Sequence, residues 1–265
     1  MHYVRAKIFK GENMMEFHAQ GVTDRGRIRP TNQDSYLLDS AQNLFIVADG
    51  MGGHAGGEIA SHLCVDHVLN YVTQKFAERA SKPGLNSEPD LDVVTFLASA
   101  INFASVKIYE KALEEPGLKG MGTTATVLKF DTNYAYIAHV GDSRLYLIRC
   151  GFIYQITLDH SLVSEQVRAG ILTAAEAAQH HLKNVITRSV GFQEEEDVDT
   201  FSLALEENDI FLLCSDGLHG KITDIDIARI CYEDLPNAAI KLTHLANENG
   251  GDDNITTLIV VVSKK

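Results

Sequence analysis

The chain has 265 residues, 45% of them hydrophobic, and its 23 basic against 36 acidic side chains give a formal net charge of -13. This length allows one large domain with a substantial core, or at most two small domains. The acidic surplus repels phosphate backbones and anionic lipid, so nucleic acid and membrane surfaces are excluded as expected partners.

The sequence indicates neither a membrane segment nor a secretion signal. No uninterrupted apolar run approaches the roughly 20 residues that cross a bilayer, and the amino terminus lacks a signal-peptide core. The four cysteines form no C-x-x-C pair, which argues against a zinc knuckle or a disulfide framework. We expect a cytoplasmic protein with a single domain over residues 15–265. Residues 1–14 form a leader for which two alternatives remain: an extra strand, or an extension that results from a start assigned too far upstream.

Short β-branched and apolar runs predict most of the strands. These runs occupy residues 16–22, 35–38, 44–48, 124–130, 134–140, 145–149, 210–214 and 255–262. From residue 124 to residue 154 the runs follow one another through short turns, so we expect antiparallel pairing.

Helices separate these groups of strands. Residues 59–76 and 97–112 have apolar side chains at spacings of three and four, and two further helices are predicted over 223–233 and 236–247. In the first helix the shared face contains Ile59, Leu63, His67 and Tyr71, with Val68 and Val72 close beside it. Strands in runs and helices in pairs indicate an α+β fold in which helices cover antiparallel sheets.

The stretch F-I-V-A-D-G-M-G-G-H-A-G-G-E, residues 45–58, ends a strand on Asp49 and continues through glycines into a helix. Gly50, Gly52 and Ala55 match the loose dinucleotide pattern G-x-G-x-x-A, which would make the protein a nicotinamide oxidoreductase. That fingerprint also requires a second parallel strand ending in an acid about 20 residues later, but Asp66 falls inside the predicted helix. The alternative is that Asp49 is a metal ligand and the glycines permit close approach.

Four more aspartates adjoin strands in the same way. Asp34 precedes a strand, Asp142 and Asp216 each follow one, and Asp253 comes just before the last. If these strand ends lie on one rim, their carboxylates and that of Asp49 converge and need a counter-charge. Oxygen ligands without Cys or His suit Mg²⁺ or Mn²⁺, and two such ions together can activate water towards phosphorus.

Two other polar stretches are expected to carry no chemistry. Asp159, His160 and Ser161 have the residue types of a hydrolase triad, but adjacent residues rarely face one another, so a turn or packing role is favoured. The acidic run at residues 194–197 is expected on a solvated face.

Taken in order, these motifs resemble the metal-dependent protein phosphatases, the PPM or type 2C family, in their compact bacterial form. The resemblance covers about residues 20–262. It rests on R-P-T-N-Q-D (29–34), D-G-M-G-G-H-A-G-G-E (49–58), G-T-T (122–124), G-D-S-R (141–144), D-H-S (159–161), I-T-R-S-V-G (186–191), S-D-G-L (215–218) and D-D-N-I-T (252–256).

The resemblance implies an αββα sandwich with two Mn²⁺ or Mg²⁺ ions at one edge. Asp49 would bridge the two ions, the Gly50 carbonyl would bind one of them, and Asp216 and Asp253 would complete the other. It also implies that Asp34 would act through metal-bound water and that Asp142 would help to hold a third, weaker metal. Arg29 would bind the substrate phosphate. A metal-bridging hydroxide would attack phosphorus in phosphoserine or phosphothreonine, without a phosphoenzyme.

The sequence departs from animal members of the family where they carry a proposed acid, since that position is Met51; His54 is a possible substitute. Gln33 stands where relatives often have Glu. Residues 162–184 resemble the family's flap, with two short helices around Gly170. The expected partners are phosphorylated proteins, including a serine/threonine kinase or its targets, and the expected state is a monomer. The alternative function is a catalytically silent phosphoprotein-binding module of the same fold.

Overall fold

The computed structural model of the chain describes residues 2–7, 15–53, 55–80, 91–131 and 133–264. In chain order the elements are β1 (His2–Lys7), β2 (Met15–Asp24), β3 (Asp34–Asp39), β4 (Leu44–Met51), α1 (Gly56–Ala80), α2 (Leu91–Glu114), β5 (Gly122–Thr123), β6 (Ala125–Asp131), β7 (Tyr134–Val140), β8 (Arg144–Arg149), β9 (Phe152–Gln155), α3 (Leu162–Arg168), α4 (Ala174–Gln179), β10 (Asp199–Ala204), β11 (Ile210–Cys214), α5 (Asp216–His219), α6 (Asp224–Glu233), α7 (Ala238–Glu248) and β12 (Ile255–Lys264).

The described strands form two antiparallel sheets. Sheet A has the order β1-β2-β12-β11-β8-β9, and sheet B has the order β10-β7-β6-β4-β3, with β5 paired to β4. The backbone of β1 pairs with β2 from His2 opposite Gly21 to Lys7 opposite Glu16, which corresponds to the extra strand named as one alternative for the leader.

Successive side chains along a central strand point to opposite faces of its sheet, so each sheet has a separate core on each face. In β4, Phe45 and Val47 face sheet A, where they join Phe130 and Phe211. Residues Leu44, Ile46 and Ala48 face the other way, against α1 and α2. A third core lies between sheet A and the helices α5, α6 and α7. The predicted α+β class, and within it the αββα sandwich, is therefore confirmed.

The buried face of α1 is shifted from the predicted face towards Val68 and Val72, which we expected close beside it. Ala60, Cys64, Val68 and Val72 are fully buried, whereas the Ile59 and Tyr71 side chains lie at the margin of the core. Small residues allow α1 to approach the sheet closely, so Ala60 and Cys64 occupy the interface although their side chains are short. The prediction is thus confirmed for Val68 and Val72, and it missed Ala60 and Cys64 because it rested on large apolar side chains.

Helix α2 is the most apolar of the long helices. Within the described residues its stretch from Asp92 to Glu114 is long and apolar enough to cross a membrane by length and composition. Its Val93, Leu97, Ile101 and Ile108 side chains are completely buried in the core against sheet B. The apolar composition of α2 is thus accounted for by packing between α1 and the sheet.

Candidate metal centre

The strand register brings the five predicted carboxylates to one rim of the sandwich. Asp34 and Asp49 lie opposite each other where β3 and β4 meet. In sheet A, Cys214 at the end of β11 lies opposite Arg144 in β8 and Thr257 in β12. Because these strands are antiparallel, the adjoining residues Asp142, Asp216 and Asp253 all emerge at the same edge.

A cleft of about 540 Å³ opens at this edge. The predicted site residues that line it are Arg29, Asp49, Gly50, Asp142, Asp216 and Asp253. Asp34 is not part of the cleft lining and is buried, with 5% of its surface exposed. Sequence reasoning therefore identified most of one wall of this cleft, together with one carboxylate that lies outside the lining.

Asp34 is held by hydroxyl groups from the opposite sheet. Ser215 and Thr256 each donate a hydrogen bond of 2.7 Å to Asp34 Oδ2. Among the described residues, Asp34 Oδ1 is buried without a hydrogen-bond partner. Burial raises the pKa of Asp34 to about 7 although both hydroxyls favour the ionised form. A buried carboxylate with one free oxygen can accept a bond from water or take part in cation binding.

Asp49 is fixed through its backbone. Its N–H donates to Thr124 Oγ1 at 2.8 Å, and its carbonyl accepts bonds of 2.9 Å from Thr123 Oγ1 and from the Thr124 N–H. Burial, followed by the charges of Asp34 and Asp216, raises the pKa of Asp49 well above its usual range. The G-T-T motif thus orients the main chain that carries this carboxylate.

Gly50 is required by a close approach of main chains. A Cβ atom at this position would lie 2.0 Å from the Gly57 carbonyl oxygen, at the start of α1, and 2.6 Å from the Gln33 carbonyl oxygen. The Gly50 N–H donates to that same Gln33 oxygen at 3.1 Å. Since the following strands are antiparallel, this glycine turn belongs to the carboxylate rim and not to a dinucleotide fold.

Asp142 lies in the turn between β7 and β8 and Asp216 at the start of α5, and both line the same cleft. Burial, with repulsion from Asp216, raises the pKa of Asp142 to about 8. Burial, with repulsion from Asp253, raises the pKa of Asp216 to about 6. In the described part of the chain, Asp216 Oδ1 is a second buried carboxylate oxygen that lacks a partner. Mutual repulsion of this kind is relieved by a cation.

Arg29 supplies a positive charge at the mouth of the cleft. Its Nη2 atom donates to Asp253 Oδ2 at 2.6 Å, and this bond raises the pKa of the guanidinium further. Asn254 anchors the same corner, since its Nδ2 donates to the Arg25 and Thr31 carbonyls at 2.9 Å. Half of the Arg29 side chain is exposed, so its remaining donors can reach a bound anion.

The donor set fits hard divalent cations. It consists of carboxylates and main-chain carbonyls, and among the described residues two of its carboxylate oxygens lack a hydrogen-bond partner. The pKa values of four of the aspartates, Asp34, Asp49, Asp142 and Asp216, are raised. Within the described residues, no three His, Cys, Asp or Glu side chains already stand as a formed metal site. The Asp253 carboxylate is turned towards Arg29, and the other carboxylates repel one another. Cation binding therefore requires the carboxylate side chains to move closer together.

The D-H-S motif has structural contacts, as expected. Asp159 accepts a bidentate pair of bonds from Arg144, at 2.8 and 2.7 Å. Ser161 caps the amino terminus of α3 by accepting from the Ser164 N–H. His160 contacts the Gly141 N–H instead of a serine hydroxyl. These contacts do not form a nucleophilic triad.

Sequence reasoning was wrong about one acidic residue. Glu194, Glu195 and Asp197 are exposed, but Glu196 is 9% exposed and lines the cleft. Its N–H donates to Asn102 Oδ1 at 2.8 Å, and burial raises the pKa of its carboxyl group. The loop between α4 and β10 packs against α2 here and turns this one side chain inwards, which a run of like charges does not reveal.

Other cleft residues were not singled out as site residues. They are Asn184, Ile186, Thr187, Ser189, Phe192 and Gln193. Most lie in or beside the quoted I-T-R-S-V-G motif, which was the available signal. Met51 lines the cleft too, whereas His54 lies outside the described residues. The segment expected to form the flap contains α3 and α4 on either side of Gly170.

Comparison with known proteins agrees with this geometry. The family model described as Protein phosphatase 2C matches residues 29–259. Protein phosphatase PhpP of Streptococcus pneumoniae is 38% identical over 250 residues, which cover 92% of this chain and 97% of that protein. The crystal structure of the Mycobacterium tuberculosis serine/threonine phosphatase PstP/Ppp has a TM-score of 0.83 at 32% identity, covering 93% of this chain and 99% of that one.

A second solved structure bears on the cations. The catalytic domain of the serine/threonine protein phosphatase PstP, in complex with 2 manganese ions, has a TM-score of 0.81 at 32% identity; 94% of this chain and 100% of that chain are covered. The fold, the rim of aspartates and the family match define a metal-dependent phosphatase. The chain belongs to the protein phosphatase 2C family.

Proposed function

We propose that this protein hydrolyses phosphoserine and phosphothreonine in protein substrates, with Mn²⁺ or Mg²⁺ as cofactor and water as the acceptor of the phosphoryl group. The observation that carries the proposal is the convergence of Asp49, Asp142, Asp216 and Asp253 with Arg29 around one open cleft. The relatives named as serine/threonine phosphatases support the substrate class.

Each cleft residue has a distinct role in this proposal. Asp49 would bridge two cations, with the Gly50 carbonyl, Asp216 and Asp253 completing their shells. When bound, the cations supply Lewis-acid activation of water and neutralise charge on the phosphoryl oxygens. Asp34 would orient water through its free oxygen, and Asp142 would hold a third, weaker cation.

Arg29 binds the substrate phosphate. Its guanidinium presents a planar fork of donors that matches two phosphoryl oxygens, and its contact with Asp253 keeps it beside the rim. Direct transfer to water needs no protein nucleophile, so no phosphoenzyme forms. Phe192, which is 67% exposed at the cleft, provides an apolar surface for the peptide on either side of the phosphorylated residue.

The substrates are by their chemistry the products of protein kinases, so the proposal places a serine/threonine kinase or its targets among the partners. The proposed state is a cytoplasmic monomer. Its four cysteines are free thiols, three of them buried, which is compatible with a reducing compartment.

The proposal is tested with three peptides of one sequence that carry phosphoserine, phosphothreonine or phosphotyrosine. With Mn²⁺ present, inorganic phosphate should be released from the first two and far more slowly from the third. Tight binding of the phosphopeptides with no release from any of them would instead indicate the silent binding module.

A further inference from the structure

Three histidines contact the main chain of the turn that carries Asp142. This turn joins β7 to β8, and Gly141 adopts a φ of 110° in it, with no room for a side chain because a Cβ would lie 2.5 Å from Thr124 Cγ2. His139 Nε2 contacts the Gly141 carbonyl at 3.0 Å, and His219 Nε2 contacts the Asp142 carbonyl at 3.0 Å. His160 Nδ1 contacts the Gly141 N–H at 3.1 Å.

The main-chain partners determine the tautomer of each ring. A carbonyl oxygen can only accept, so the Nε2 atoms of His139 and His219 carry hydrogens. A peptide N–H can only donate, so Nδ1 of His160 is bare and its hydrogen is on Nε2. That Nε2 lies 3.2 Å from Asp199 Oδ2, and its N–H therefore donates to this carboxylate.

His160 is the member of this set whose ring joins the turn to a partly exposed carboxylate, that of Asp199. His139 and His160 are buried, with ring centroids 5.0 Å apart, whereas Asp199 at the start of β10 is partly exposed. Arg188 Nη1 donates to the other oxygen of Asp199 at 2.9 Å. Asp199 is thus held between Arg188 and His160, and it fixes the plane of the imidazole ring.

The main chain of His160 adds a second link to the cleft. Its N–H donates to the Gly141 carbonyl at 2.8 Å, and its carbonyl accepts from the Thr187 N–H at 2.8 Å. Thr187, like Asp142, lines the cleft. The main chain of His160 therefore ties Gly141 to a second segment of the cleft lining.

We propose that His160, oriented by Asp199, is a positioning residue that holds the Gly141–Asp142 turn so that the Asp142 carboxylate can bind a cation. The inference rests on the proposed role of Asp142. His160 touches neither the substrate nor the cation. It acts through one acceptor atom on the Gly141 N–H, as partners of metal ligands do when they fix ligand orientation.

Two substitutions separate the two ends of the His160 ring. In His160→Asn the amide oxygen lies near the position of Nδ1 and can accept from Gly141, but the contact with Asp199 is lost. In His160→Gln the terminal amide reaches the position of Nε2 and can donate to Asp199, but no acceptor faces the Gly141 N–H. Asp199→Ala keeps the His160 imidazole but removes the carboxylate that accepts from its Nε2–H and orients the ring.

The experiment is a Mn²⁺ titration of chelator-stripped protein, with free Mn²⁺ followed by electron paramagnetic resonance. For the wild type we expect two tighter ions and one weaker ion. His160→Gln should lower the affinity for the third ion about 10- to 100-fold and leave the affinity for the tighter two unchanged. His160→Asn should retain most of the wild-type affinity for the third ion. Asp199→Ala should show a smaller loss, and His244→Gln, on the exposed face of α7, should behave as wild type.

Equal third-ion affinity in His160→Gln and the wild type would overturn the proposal, as would a wild type that binds no third ion. Equal weakening of all three ions would also overturn it, because the role would then be structural. If His160→Gln does not fold, Asp199→Ala decides the question by the same criterion. Failure of the proposed function is recognised separately, since it removes phosphate release from the wild type and leaves these binding differences intact.

Discussion

Asp34 and Asp49 are directly opposite each other across β3 and β4, and Asp34 is at the same time hydrogen-bonded to Ser215 and Thr256 of the other sheet. Hydrogen bonds to Asp34 therefore connect the two sheets of the sandwich at this pair. Neighbouring carboxylates in a buried position destabilise each other unless protons or cations neutralise them. This repulsion is present at the rim because the same carboxylate charges bind the cations.

Asp49→Asn and Asp216→Asn should each lower kcat with a phosphothreonine peptide by on the order of 100-fold or more, since each removes charge that holds the cations. The metal-free variants should unfold at the same temperature as the wild type or above it, because one repelling carboxylate is gone. Calorimetry with and without Mn²⁺ measures this. Asp66→Asn, on the exposed face of α1, is the matched control, and near-normal turnover in either site variant would contradict the assignment.

Arg29→Lys should raise KM for phosphopeptides with a smaller effect on kcat. Lysine retains the charge but lacks the planar fork, so one charged hydrogen bond is lost, which corresponds to about 10- to 100-fold in binding. Arg29→Ala should have a larger effect. Steady-state kinetics measure both variants, and an unchanged KM in both would show that the phosphate is held elsewhere.

Gly50→Ala should be strongly destabilising because its Cβ would lie 2.0 Å from the Gly57 carbonyl oxygen. Relief requires movement of the start of α1 or of the loop at Gln33, so we expect a loss of about 3 kcal/mol or more in the free energy of unfolding. Gly53→Ala is the control, since no heavy atom lies within 4 Å of its Cβ position. Urea unfolding compares the two, and equal stabilities would contradict the close approach.

The metal-free protein should lose stability as the pH rises from about 6.5 to about 8, and the loss should level off above that. The folded-state pKa values of Asp34 and Asp142 are raised to about 7 and about 8, so the fold retains protons that the unfolded chain has released. This stabilising contribution is complete below the ordinary carboxyl pKa of 3.8, is lost progressively as the pH rises above it, and is exhausted once the pH exceeds the folded-state values. His139 and His219, with pKa values lowered to about 4, act in the opposite direction, but only below their ordinary value of 6.5.

Calorimetry in the presence of a chelator measures this slope. Mn²⁺ should flatten it, because the cation takes the place of the protons, and Asp142→Asn should reduce it without metal. A metal-free unfolding temperature that rises over this range would contradict the sign of the effect.

The sequence was sufficient to predict the carboxylate rim, because a residue that adjoins an antiparallel strand has its place fixed by register. Residues 134–140 and 210–214 are strands with the predicted bounds. Strand β10 was missed because its side chains are half-buried and its apolar pattern is weak. The three histidines around Gly141 were also missed, since they come from three distant segments and only the folded chain brings them together.

The central claim is that cations held by the aspartate rim are necessary for hydrolysis. Its most direct test is phosphate release from a phosphothreonine peptide by chelator-stripped protein, with and without added Mn²⁺, for the wild type and for Asp216→Asn. We predict release only when Mn²⁺ is added, and near-complete loss of that release in the variant. Equal release without metal, or unchanged release in Asp216→Asn, would contradict the account.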